Sequence, residues 1–339
     1  MCALYCALSA CSDNPPAGKA EKPAAPKYSV ERPIEGLPPP ASRDETFKRG
    51  VSLDLAIGEV AEPQRAAYGD WLTQVAQLGA TDLELIVQWS QLDRSSVELA
   101  PNAVTTVDDG FLVWLMDQAH DRKLRVMLTP VIELEQPTTE HRPIVPSDSA
   151  RWFWSYQRFA LHYARIAEAH KVTCVAVGAD LPVELASDPH WLNVIKDVRK
   201  AYKGKVTYVA RPEKLESLPM WSGLDLISVL AAGEATQSIG GAHSGLQALT
   251  QRAQAFAKEA SKSFQLTSVH PGAGKSRTVL QQLDAARAMY QSLHAERALG
   301  GLFVTLVRPG VAAGKQDAPE VGSPYAAVLR HWYTRPTSN

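Results

Sequence analysis

Eight short apolar runs, each followed by a stretch of helical period, constrain this chain more than any other feature in it. The runs lie at 50–56 (GVSLDLA), 82–89, 124–131, 172–180, 206–211, 224–232, 264–270 and 301–307. Strands buried on both faces read as near-continuous apolar sequence, and strands that alternate with helices join into βα units and a parallel sheet. Eight is the number that closes such a sheet on itself, so the expected fold is α/β: a single (β/α)8 TIM barrel over residues 47–335.

The intervening segments carry their own punctuation. Pro63 to Leu78 stops at Gly79, and Val107 to Arg122 has Asp108 and Asp109 in its first turn, where the helix dipole favours acids. Trp152 to His170 sets Phe159, Tyr163, Ile166 and Ala167 at helical spacing, and Asp188 with Pro189 reads as the N-cap and first-turn proline of the next helix. Leu246–Ala260, Thr278–Ala298 and Tyr325–Trp332 complete the set, while the fifth helix has only Glu213 to Leu218 to draw on.

Bulk properties exclude several classes of function. Of 339 residues 45% are hydrophobic, enough for one large core, and the net charge of −1 comes with Lys and Arg scattered singly, so nucleic acid is not an expected partner. The nine His show no HxH or HExxH spacing, so no metal and no cofactor are expected. Gly272-Ala273-Gly274-Lys275-Ser276 imitates a phosphate loop but has Val269 where the first Gly belongs. Cys174, inside VTCVAVG, reads as a small core hydrophobe.

The first 46 residues differ in kind. Residues 1–11 are apolar and end in Leu8-Ser9-Ala10-Cys11, which looks like a bacterial lipobox with Cys11 as the lipidated residue; a plain apolar N-terminus is the alternative. A signal peptide normally opens with Lys or Arg and a longer apolar core, so the true start is expected further upstream. Residues 12–46 are rich in Pro, Ala, Lys and Glu and read as a disordered, semi-rigid linker, since they offer too little apolar area to offset ordering. Together these features predict a lipoprotein tether to a bacterial cell envelope, facing the periplasm or the cell surface. No apolar run after the first residues approaches the roughly 20 residues of a spanning helix.

Six passages bear a family resemblance: KRGVSLDL, LGATDLELIVQW, AHDRKLRVMLTPVIE, RWFWSYQRFALHYARIAEAHKVTCVAVGADL, WLNVIKDVRKAYKGKVTYVA and the closing SPYAAVLRHWY. Over residues 48–333 their order resembles glycoside hydrolase family 113, mannanase-like barrels in which the acid/base follows strand four and the nucleophile strand seven. Retaining hydrolysis needs both carboxylates, about 5 Å apart. The matching residue on strand four is Asp180, in Val177-Gly178-Ala179-Asp180-Leu181, which keeps a carboxylate but loses a methylene of reach. A misplacement of roughly 1 Å costs on the order of a hundredfold in rate. On strand seven, Leu266-Thr267-Ser268-Val269-His270 sets Ser268 at the nucleophile position, and on strand eight Phe303-Val304-Thr305 lacks the Trp of many clan members. The resemblance therefore implies a glycosidase-type barrel with a degenerate site.

Other polar residues fall at strand ends: Asp54, Gln88, Trp89, Glu133, Glu135, Glu184, Arg211, Glu234, His270 and Arg308. They read either as a cleft that hydrogen-bonds sugar hydroxyls, with Trp89 as a stacking face, or as ion pairs and solvated loop residues. Glu133 is the candidate second carboxylate, and a rearranged pair of Asp180 with Glu133 or Glu234 would need about 6.5–9.5 Å for an inverting water. The expectation is an envelope lipoprotein whose barrel binds a polysaccharide without two-carboxylate retaining hydrolysis. An active endo-β-mannanase-like hydrolase is the alternative, and a partner module of a polysaccharide export machine a third.

Overall fold

The computed structural model of the protein describes residues 29–40, 42–43, 45–136, 143–186, 188–231, 242–269, 278–293, 296–310 and 319–334. Barrel strands are β1 (Lys48–Asp54), β2 (Asp82–Gln91), β3 (Arg125–Leu134), β4 (Cys174–Ala179), β5 (Lys205–Ala210), β6 (Ile227–Leu230), β7 (Phe264–Val269) and β8 (Leu299–Thr305). Each pairs in parallel with the next, and β1 pairs with both β2 (Ser52 opposite Glu84) and β8 (Ser52 opposite Thr305), so the sheet closes. A two-residue strand, Leu99–Ala100, adds antiparallel to the end of β2.

The helices are α1 (Glu62–Gln77), α2 (Asp109–Asp121), α3 (Ser149–Ala169), α4 (Val183–Ala186), α5 (Trp191–Ala201), α6 (Ala242–Glu259), α7 (Val279–Leu293) and α8 (Pro324–Tyr333). Gly79 ends the first as expected, in the left-handed region at φ 88°, where a Cβ would lie 3.2 Å from the Tyr333 carbonyl oxygen. Asp108 caps α2 by accepting from the Phe111 amide at 3.0 Å. Where the fifth helix looked thin, two 3-10 turns, Pro212–Ser217 and Pro219–Gly223, stand in place of an α-helix, each opening on Pro.

Strand alternation sorts the side chains. Val51 and Leu53 of β1 and Leu83, Leu85 and Val87 of β2 join the core between sheet and helices. A second cluster of Met127, Cys174, Ala176, Val209, Leu226 and Phe303 forms separately. Cys174 is buried as expected, and burial pushes its thiol up to about 11, which makes it inert. Polar groups are present among the strand residues: the half-buried Lys48 Nζ donates to Gln265 Oε1 at 2.5 Å, and the buried Gln265 donates to Ser228 Oγ at 2.9 Å.

Two expectations need correction. Asp188 does not cap α5, which starts at Trp191; its carboxylate accepts from the His190 amide (2.9 Å) and ring (2.6 Å) in the turn before. The linker expected over 12–46 also ends too late, because chain from residue 29 onward is strapped to α7 and α8. Arg287 donates to the carbonyls of Pro33 (2.5 Å) and Glu35 (2.7 Å), Tyr290 Oη to Pro38 (2.8 Å), and Arg43 to Leu293 (2.7 Å). The His331 ring also meets the Pro38 carbonyl, at 2.8 Å. Composition missed this because, Arg43 apart, the strap contributes main-chain acceptors, which any residue carries, while their partners lie some 250 residues away in sequence. Residues 1–28, with Cys11, lie outside the described residues.

Candidate active site at the barrel mouth

A cavity of ≈ 360 Å³ lies at the C-terminal ends of the strands, lined among others by Ile86, Val131, Glu133, Asp180, Leu230 and Ser268. It brings together three of the residues that the sequence singled out, from β3, β4 and β7, at the end of the barrel where this fold holds its chemistry.

Asp180 is placed by the close packing of the strand before it. Between Ala176 and Ala179 the register against β5 shifts, and a Cβ at Gly178 would stand 2.5 Å from Tyr156 Oη and 3.0 Å from the Trp191 ring. The Tyr156 hydroxyl donates to the Val177 carbonyl at 2.7 Å, and Tyr208 Oη accepts from the Leu181 amide at 2.9 Å, so aromatic hydroxyls hold the chain on both sides of Asp180. The Asp180 backbone is left-handed, φ 46°, a region that Asp tolerates better than most residues. Its side chain meets two cations: Arg211 Nε donates to Oδ2 at 2.7 Å and Lys214 Nζ to Oδ1 at 2.9 Å. Both oxygens are thereby occupied as acceptors. Lys214 also donates to the Leu181 carbonyl at 3.1 Å.

Ser268 is buried and, like Asp180, left-handed at φ 49°, with the β7–β8 register shifting around it. Its amide is spoken for by a residue the sequence reading passed over. Glu84, on β2, is fully buried, and its carboxyl accepts from Ser52 Oγ (2.5 Å), Thr129 Oγ1 (2.7 Å) and the Ser268 backbone. Burial pushes this carboxyl up despite its three donors. The available signal was an acid in the middle of the apolar run DLELIV, two residues from both Asp82 and Ile86 and so on their face of the strand.

The remaining candidates divide. Glu133 is exposed at the rim, where partial desolvation and then the nearby Asp54 charge push its carboxyl up. Asp54 Oδ1 accepts from the Ala56 amide (2.8 Å) and Arg308 donates to the Ala56 carbonyl (2.9 Å), so both brace the loop after β1. Gln88 is buried on the face of β2 that carries Glu84. Trp89 is on the opposite face, 9% exposed and packed on Phe159, His162 and Tyr163 of α3 at 5.3, 5.5 and 6.5 Å between ring centroids, so it offers no sugar platform at the mouth. Glu135 accepts from Asn102 at 2.8 Å, and Glu184 is exposed on α4. Of the WFWSY aromatics, Trp152, Phe153 and Tyr156 are core as expected, while Trp154 is 59% exposed. Glu234, His270 and the Gly272–Ser276 run lie outside the described residues.

A closed barrel of eight parallel strands, with Glu133 and Asp180 lining a cavity at its C-terminal rim, is a (β/α)8 TIM barrel with two carboxylates at the end where this fold holds its chemistry. The chain belongs to Glycoside Hydrolase Family 113, whose family model matches residues 60–274, well over half of its length. In fold it is similar to a family 113 β-1,4-mannanase (22% identity, TM-score 0.70, 85% of this chain and 98% of that one). It is also similar to the family 113 β-mannanase AaManA from Alicyclobacillus acidocaldarius, solved in complex with ManMIm (19%, TM-score 0.69, 85% and 97%). A more distant likeness is to a family 5 mannosidase from Rhizomucor miehei (10%, TM-score 0.57, 85% and 92%). No curated protein matches the chain.

Proposed function

We propose that this chain is a polysaccharide-binding member of the family that does not carry out two-carboxylate retaining hydrolysis. One observation carries the reading: the carboxylate at the acid/base position, Asp180, has both oxygens engaged by Arg211 and Lys214. A general acid must carry a proton toward the leaving oxygen, and this group is instead built into a three-residue ion cluster. The nucleophile position agrees with it, because Ser268 has no carboxylate and its amide is tied to Glu84. The likeness to family 113 β-mannanases makes β-1,4-mannan the first glycan to try.

Incubation of the purified chain with β-mannans and β-glucans, followed by affinity electrophoresis in the same glycans, tests the reading. Retardation without release of reducing ends is expected. Release of reducing ends that disappears in Asp180→Asn sinks it.

A second reading, an active hydrolase with Asp180 and a relocated carboxylate, draws on Glu133. This group lines the same cavity and has its carboxyl pushed up, as suits a proton donor. Loss of any measured turnover in Glu133→Gln as well as in Asp180→Asn would favour it.

The same proposal places the barrel at a bacterial cell envelope through a lipidated Cys11, on the strength of Leu8-Ser9-Ala10-Cys11 and the Pro/Ala-rich stretch after it. Metabolic labelling with a fatty acid that persists in Cys11→Ala speaks against the anchor.

A further inference from the structure

Beside the mouth lies a second, larger cavity of ≈ 600 Å³, between the loop after β1, the first turns of α1, residues 104–105 and Arg308–Gly310. That is within the range of pockets that hold small molecules, about 300–1,000 Å³. Ile57, Val60, Pro63 and Val104 give it an apolar wall. Two hydroxyls on its lining have no hydrogen-bond partner among the described residues. The Tyr68 side chain is 3% exposed, its ring edge-on to Phe111 at 5.1 Å; its neighbours Arg308 and Asp54 act on it through charge alone, without a hydrogen bond. Burial pushes this hydroxyl up to about 12, which keeps it a donor at neutral pH. Thr105 Oγ1 is buried and unpartnered. A fold leaves hydroxyls in this condition at a cost, and a ligand that hydrogen-bonds them removes it. Arg308, already donating to the Ala56 carbonyl, lines the same cavity.

We infer that this lateral cavity is a second carbohydrate site, taking one pyranose unit of a glycan with its C–H face on Ile57 and Val104 and its hydroxyls on Tyr68 and Thr105. An apolar wall with a few convergent hydroxyls matches a sugar ring, which has both kinds of surface. The inference rests on the glycan-binding reading above but concerns a different cavity.

Isothermal titration of the full chain with β-1,4-mannotriose and β-1,4-cellotriose tests it. The double substitution Tyr68→Phe with Thr105→Val removes no hydrogen bond seen within the described chain and keeps the side-chain shapes, so its thermal midpoint is expected to stay within roughly a degree or two of the parent's. It is expected to weaken one class of trisaccharide site about tenfold or more, the scale of one lost hydrogen bond. Ile144→Trp, which adds bulk to the lining of the central cavity, is expected to weaken only the other class. A folded double variant that titrates like the parent overturns the inference. If binding is present and responds to Ile144→Trp alone, the lateral site falls and the glycan-binding reading stands; if neither trisaccharide binds the parent, both fall.

Discussion

The backbone N–H of Ser268, at the end of β7, donates to the buried carboxyl of Glu84 on β2, so two strands that are not neighbours in the sheet are fastened to each other beneath the mouth cavity. The residue at the position expected to attack the sugar is thus part of the scaffold.

Glu84→Gln tests that fastening through pH. Burial raises the folded-state carboxyl above its ordinary value of 4.5, so the folded chain binds this proton more tightly than the unfolded chain. The sign follows: this group's stabilising contribution is full below about pH 4.5 and is lost as pH rises through its raised folded value. At pH 4 the variant should be less stable by about 1–3 kcal/mol, because the amide has one oxygen to accept with and sets an NH2 donor against the other of the Ser52 and Thr129 hydroxyls. By pH 8 that difference should shrink, as the parent alone loses stability on the way up. Urea unfolding at the two pH values measures it, and a gap that widens toward pH 8 contradicts the assignment.

The cation cluster makes a prediction about activity. Side chains of Asp180, Arg211 and Lys214 are 24%, 41% and 20% exposed, so Arg211→Met with Lys214→Met should cost no more than about 1 kcal/mol for each pair. Adding Ser268→Glu to that double variant restores a second carboxylate and frees the first. Release of reducing ends from β-mannan should rise by roughly 10²-fold, the scale of a positioned acid, in the combined variant and not in Ser268→Glu alone.

How much of this was legible beforehand differs by element. All eight strands were, because DLELIV or VTYVA cannot be confused with an amphipathic helix, and so was the rim, because the fold fixes where strand ends point. Trp89 was misread since one residue of register separates the mouth from the helix layer. Lys214 gave no signal at all, for its partner Asp180 lies 34 residues earlier and the 3-10 turn that carries it has no helical period to read.

Gly178→Ala is expected to destabilise the chain by about 1–3 kcal/mol, the usual range for overpacking. The added methyl would meet Tyr156 Oη at 2.5 Å, and that hydroxyl also holds Val177. Chemical denaturation gives the size of the effect; Gly178→Ala combined with Tyr156→Phe should recover part of it, and no recovery would assign the strain elsewhere.

Arg287→Met removes the donors to Pro33 and Glu35. A loss of about 1–3 kcal/mol is expected, with proteolytic cleavage between residues 29 and 43 rising well above that of the parent. Equal cleavage in the two proteins would show that the strap is held by other contacts.

The direction of that strap matters mechanically. Along α7 its contacts keep the helix's own order, with Pro33 at Arg287, Pro38 at Tyr290 and Arg43 at Leu293, so the chain, followed back from β1, climbs the flank of the barrel before it departs. A tug on the N-terminal side is therefore borne in shear by a row of carbonyls gripped by arginine and tyrosine. Those fastenings must give way before any load reaches β1, the strand whose removal would unzip the barrel along both of its edges.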